Sequence, residues 1–146
     1  MSELRQSGTL QNLIEAFARE AQILSRYHMF AKTAEYEGLN EAAELFRRLE
    51  QNQAVYVQGH LGLLRTACDP LSYQPFGPTK ENLAAALACE QEQANHSYPA
   101  FSAVAESEGF STISSWLRTL ALSKQETISR IQAVQQELYR TSLGED

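Results

Sequence analysis

Thr9-Leu-Gln-Asn-Leu-Ile-Glu-Ala-Phe-Ala-Arg-Glu20 and Thr79-Lys-Glu-Asn-Leu-Ala-Ala-Ala-Leu-Ala-Cys-Glu90 carry Thr, Asn, Leu, Ala, Ala and Glu at the same spacing, 70 residues apart. Beyond Glu90 the offset becomes 71: Phe30 matches Phe101, Ala34 matches Ala105, Glu37-Gly38 matches Glu108-Gly109, and Arg47 matches Arg118. A sequence that repeats over this length points to a fold of two like halves. The residue gained between Glu90 and Tyr98, just before Pro99, predicts a single-turn π-bulge within the third helix.

Working outward from the repeat, the apolar period is helical throughout. Leu13, Phe17, Glu20, Leu24, Tyr27, Ala31 and Ala34 alternate spacings of four and three, which traces one stripe along a helix. The second stripe runs through Ala42, Phe46, Leu49, Gln53, Tyr56 or Val57, His60 and Leu64. The third holds Leu83, Leu87, Glu90, Ala94, Tyr98, Phe101 and Ala105, and the last runs from Ile113 through Leu117, Leu120, Lys124, Thr127 and Ile131 to Leu138. Every stripe has a polar residue near its middle.

Turn chemistry sets the boundaries. Gly38 and Gly109 suit the left-handed position after a helix, with Asn40 and Ser111 as caps for the helix that follows. Cys68 to Pro78 contains three prolines and a glycine, so this stretch predicts a non-helical crossover. The expected architecture is all-α: one domain over 1–146, with helices at about 9–37, 40–66, 79–108 and 111–140, a crossover over 67–78, and two hairpins forming a four-helix bundle.

The 146 residues are 43% hydrophobic, enough for one domain with a core. A net charge of −6 without a basic run argues against a nucleic-acid partner. No apolar run approaches the ~20 residues needed to span a bilayer, and no leader-like segment opens the chain, so a cytoplasmic protein without a membrane partner is expected. Cys68 and Cys89 form neither a CxxC pair nor a disulfide framework and read as structural thiols.

Glu20 lies 18 residues before Gly38 and Gln53 lies 15 after it; Glu90 lies 19 before Gly109 and Lys124 15 after it. Antiparallel hairpins bring these four residues to one depth, within about a helical turn of ~5.4 Å. The spacing therefore predicts a polar cluster. His60, one turn beyond Tyr56, is expected near a helix end, and His28 and His96 lie off the stripes.

This pattern resembles the rubrerythrins of the ferritin-like superfamily, over nearly the whole span from Thr9 to about Leu138. The telling stretches are Thr9 to Glu20, Leu45-Phe-Arg47, Thr79-Lys-Glu-Asn-Leu83, Tyr98-Pro-Ala-Phe101 and Glu106-Ser-Glu-Gly-Phe110. The resemblance implies a ferritin-like fold, a di-iron centre that reduces hydrogen peroxide, a homodimer, and often an attached rubredoxin-type domain. These 146 residues hold no pair of CxxC motifs for such a domain.

By the same resemblance, the first and third helices each give one glutamate to the metals, and Glu20 and Glu90 stand there. The second helix would supply Glu-x-x-His and has Gln53-x-x-Tyr56; the last would supply the same motif and has Lys124-x-x-Thr127. A further carboxylate one turn after Glu90 is Gln93. Tyr27 and Tyr98 stand where family tyrosines hydrogen-bond the ligand carboxylates. Paired divalent irons need anionic oxygens and imidazole, whereas an amide is a weak donor and an ammonium repels metal. The expectation is a metal-free protein with no cofactor and no catalytic residue. In it, the Lys124 ammonium bridges Glu20 and Glu90, and Gln53, Gln93, Tyr56 and Thr127 complete the network.

Three functions follow from this reading. A scaffold or sensing module would need a protein partner that the sequence does not name. A divergent iron oxidoreductase would draw ligands from Glu20, Glu90, Glu50, Glu92 or His60. A small-ligand binder would use the space left by the metals.

Overall fold

The computed structural model describes residues 2–144, and among these there is no strand. The helices are α1 (Ser2–Arg5), α2 (Gly8–Tyr36), α3 (Asn40–Leu64), α4 (Thr79–Glu92), α5 (Tyr98–Ser107) and α6 (Ser111–Leu143), with a π-helical turn, Gln93–Ser97, joining α4 to α5. The chain divides into two compact units, Met1–Pro70 and Leu71–Asp146. Each unit contains one antiparallel helical hairpin.

In the first unit, α2 ends on a left-handed glycine, Gly38, at φ 75°. The N–H of Leu39 donates to the carbonyl of Ala34 at 2.9 Å, and that of Gly38 to Glu35 at 3.1 Å, which satisfies carbonyls that the helix end would leave free. Ala31, Ala34 and Ala43 are buried next to this turn, so α2 and α3 approach through methyl groups. Farther along, Phe46 meets Phe30 edge-on at 5.4 Å and Tyr27 at 6.3 Å. At the opposite end Leu64 is fully buried, and Arg5 Nε donates to the carbonyl of Ala67 at 2.7 Å, past the end of α3.

The second unit repeats this construction with changed chemistry. Gly109 takes φ 85°, and the Phe110 N–H reaches the Ala105 carbonyl at 2.8 Å. Where the first hairpin has Ala31 and Ala43, the second has Ser102 and Ser114, both buried. Ser102 Oγ lies 2.9 Å from Ser114 Oγ and donates to the Ser114 carbonyl at 3.0 Å. At the entry to α4, the Asn82 side chain accepts from the Gly77 N–H at 2.6 Å and donates to the Gly77 carbonyl at 3.0 Å. The final turn of the crossover is thereby tied to the helix.

Several boundaries differ from the sequence reading. The π turn stands where the repeat gains its residue, as the spacing predicted, but the third predicted helix ends at Ser107 rather than about residue 108. Helix α3 stops at Leu64 rather than about residue 66, and α6 runs on to Leu143, where Gly144 takes φ 73°. Asn40 and Ser111 are the first helical residues; the N-cap positions are Leu39 and Phe110, which make no side-chain capping bond. The four-residue α1 is too short to show a period. No helix among the described residues is long and apolar enough to cross a membrane.

Candidate functional site

Each hairpin pairs its own surviving glutamate with the residue of matching depth on its second helix. In the first, Gln53 is buried, with 6% exposure, and its Nε2 donates to Glu20 Oε2 and, at 3.3 Å, to the Glu20 backbone carbonyl. A carboxamide so engaged presents its N–H groups to the glutamate and has only its own carbonyl oxygen, a weak neutral donor, to offer a metal. In the second, Lys124 Nζ lies 2.8 Å from Glu90 Oε2. Both side chains are about four-fifths buried, at 20% and 23% exposure. The same ammonium lies 5.8 Å from the centre of the Tyr98 ring, on whose π-face a cation is favoured.

The repeat accounts for this equivalence. Gln53 and Lys124 are 71 residues apart and Glu20 and Glu90 are 70 apart. In either hairpin, a donor on the second helix reaches back to the acid on the first.

The remaining expected positions are distributed around these pairs. Tyr27 contacts Phe46 with its ring, and Tyr98 meets Phe101 at 6.5 Å. Gln93 opens the π turn and is half-buried. Tyr56 is 56% exposed on α3, one turn beyond Gln53. Thr127 is exposed, and its hydroxyl is 3.5 Å from the carbonyl of Ser123 in its own helix. Cys68 is buried and Cys89 half-buried.

Candidate substitute ligands are engaged elsewhere. Glu50 accepts from or pairs with His28 Nδ1 at 2.8 Å, so it does not join His60 as the sequence allowed. Glu92 accepts from the Ser97 hydroxyl at 2.6 Å across the π turn. The His28–Glu50 pair was missed by stripe counting because both residues flank the apolar seam. Depth would have revealed it, since they lie 10 residues before and 12 after Gly38. A second such pair, Gln125 Nε2 to Asn95 Oδ1 at 2.8 Å, links α6 to the π turn.

Among the described residues, no group of three or more His, Cys, Asp or Glu side chains is placed to hold a metal ion. The donor sets that the hairpins assemble are carboxylate with carboxamide and carboxylate with ammonium. Neither suits a pair of divalent irons, which need several anionic oxygens with imidazole.

Comparison with known proteins agrees with the family resemblance and its fold. The sequence model of the rubrerythrin family matches residues 11–127. Rubrerythrin-1 of Clostridium acetobutylicum is 30% identical over 142 residues, spanning 92% of this chain and 73% of that protein. A rubrerythrin of Porphyromonas gingivalis is 36% identical over 124 residues, spanning 81% of this chain and 61% of its own length. One from Clostridium perfringens is 28% identical over 131 residues, covering 83% and 66%. With its all-α hairpins and this match, the chain belongs to the rubrerythrin family and has its ferritin-like fold.

Proposed function

We propose that this chain is a rubrerythrin-family protein whose di-iron site has decayed, and that it works without metal as a structural, binding or sensing module. The observation that carries this reading is the 2.8 Å contact between Lys124 Nζ and Glu90 Oε2. A fixed positive charge lies where the family pattern has an anionic ligand. In this reading the ammonium supplies the countercharge for Glu90, the role that metal charge has in relatives with the full ligand set. The Gln53 amide on Glu20 lowers that carboxylate's need for a cation further. We further propose a cytoplasmic homodimer that acts through a protein partner or a small ligand.

The competing reading is a divergent di-iron oxidoreductase with unusual ligands. Its ligands would come from Glu20, Glu90, Glu50, Glu92 or His60, of which Glu50 and Glu92 contact His28 and Ser97 at 2.8 and 2.6 Å. Peroxide consumption separates the two. Protein supplied with ferrous iron and a chemical reductant should consume hydrogen peroxide no faster than the same iron in buffer. Saturable turnover above that control would instead establish the oxidoreductase.

A further inference from the structure

The two halves differ most tellingly around the equivalent arginines Arg47 and Arg118. In the first hairpin, Arg47 gives Nε and Nη2 to Glu35 Oε1, the former at 2.8 Å. One turn along α3, Glu50 holds His28 Nδ1 of α2 at 2.8 Å, so a polar bridge spans the two helices. At an offset of 71, Arg47, Glu35, Glu50 and His28 become Arg118, Glu106, Ala121 and Pro99. The arginine pair survives only as one Nη2 to Oε2 contact at 3.4 Å, and the bridge is replaced by two residues without a polar side chain.

A groove of about 310 Å³ opens there, lined by Ala94, Pro99, Arg118, Ala121, Leu122 and Gln125. Arg118, Ala121, Leu122 and Gln125 share one face of α6 by their three- and four-residue spacing. The opposite wall is Ala94 in the π turn and Pro99 in the first turn of α5, so the residue inserted into the second half helps shape the groove. Leu122 is 73% exposed along it. The polar groups lie at the ends: the Gln125 amide is turned to Asn95, and the Arg118 guanidinium keeps N–H donors beyond its one long contact with Glu106.

We propose that this groove binds a small amphipathic carboxylate, such as a medium-chain acyl or aryl acid. Its apolar part covers Pro99, Ala121 and Leu122, and its carboxylate pairs with Arg118. Charge complementarity with the loosely held guanidinium selects a carboxylate over a neutral chain. The net charge of −6 disfavours a bare anion, so the apolar contact is needed as well. The first hairpin is an internal control, because its equivalent surface is crossed by His28 and Glu50.

The test is calorimetric titration of the intact chain with octanoate, 1-octanol and inorganic phosphate. Octanoate should bind one per chain, with 1-octanol and phosphate at least about tenfold weaker. Arg118→Gln should weaken octanoate by about tenfold or more. Ala121→Glu, which restores the first hairpin's acid three residues from Arg118 and so competes for its guanidinium, should abolish binding while circular dichroism stays unchanged. The proposal is overturned if octanol matches octanoate, if either variant binds like the parent, or if no octanoate binds up to about 5 mM.

Discussion

Ser102 and Ser114 face each other across the second hairpin with hydroxyl oxygens 2.9 Å apart, at the positions where the first hairpin has Ala31 and Ala43. The repeat thus solved one close approach of helices twice, with paired methyls and with paired hydroxyls. Either pair is self-consistent, whereas in a mixed pair Ser114 loses its hydroxyl partner and Ser102 keeps only the Ser114 carbonyl.

A double-mutant cycle measures that coupling. Ser102→Ala and Ser114→Ala should each destabilise the protein by about 1 kcal/mol in urea unfolding. The double variant should cost less than the sum of the two, by about 0.5–1 kcal/mol. Strict additivity would mean that the hydroxyls do not depend on each other.

The Lys124–Glu90 pair predicts a larger asymmetry. Lys124→Met should lower stability by about 2–3 kcal/mol, below the ~3–5 kcal/mol of a fully buried broken pair because both side chains keep a fifth of their exposure. Adding Glu90→Gln to Lys124→Met should recover part of that loss by removing the stranded charge. Melting temperatures of the parent, the two single variants and the double variant decide it; an unchanged value for Lys124→Met would dismiss the ammonium as a structural countercharge.

At the hairpin turn, Gly38 at φ 75° occupies backbone space that costs an L side chain about 1–2 kcal/mol. Nothing lies within 4 Å of where its Cβ would be, so the penalty for Gly38→Ala comes from backbone alone. Chemical denaturation should show that penalty, with Gly109→Ala behaving alike.

Asn82 binds Gly77 through both its amide oxygen and nitrogen. Asn82→Ala should cost about 1–2 kcal/mol and hasten limited proteolysis between residues 65 and 78. Unchanged cleavage would show that Asn82 does not secure the crossover.

Much of this was legible in sequence because the repeat is an internal alignment. The change of offset after Glu90 foretold the π turn, and Gly38 and Gly109 marked both hairpin turns. The depths of Glu20, Gln53, Glu90 and Lys124 predicted one polar cluster bridged by Lys124, whereas the contacts seen are one pair in each hairpin, Gln53 with Glu20 and Lys124 with Glu90. Partner choice off the apolar seam was not legible. The pairing of Glu50 with His28 rather than His60 depends on helix rotation, which a stripe fixes only to within a residue or so. Helix starts also escaped, since Leu39 and Phe110 take the N-cap positions with no side-chain oxygen to announce them.

In the proposed function, a carboxamide and an ammonium stand where the family pattern has metal ligands. Its most direct test is elemental analysis of protein purified without chelator, then offered ferrous iron anaerobically and desalted. The account predicts fewer than about 0.1 iron per chain; about two per chain, the content of a two-metal site, would contradict it.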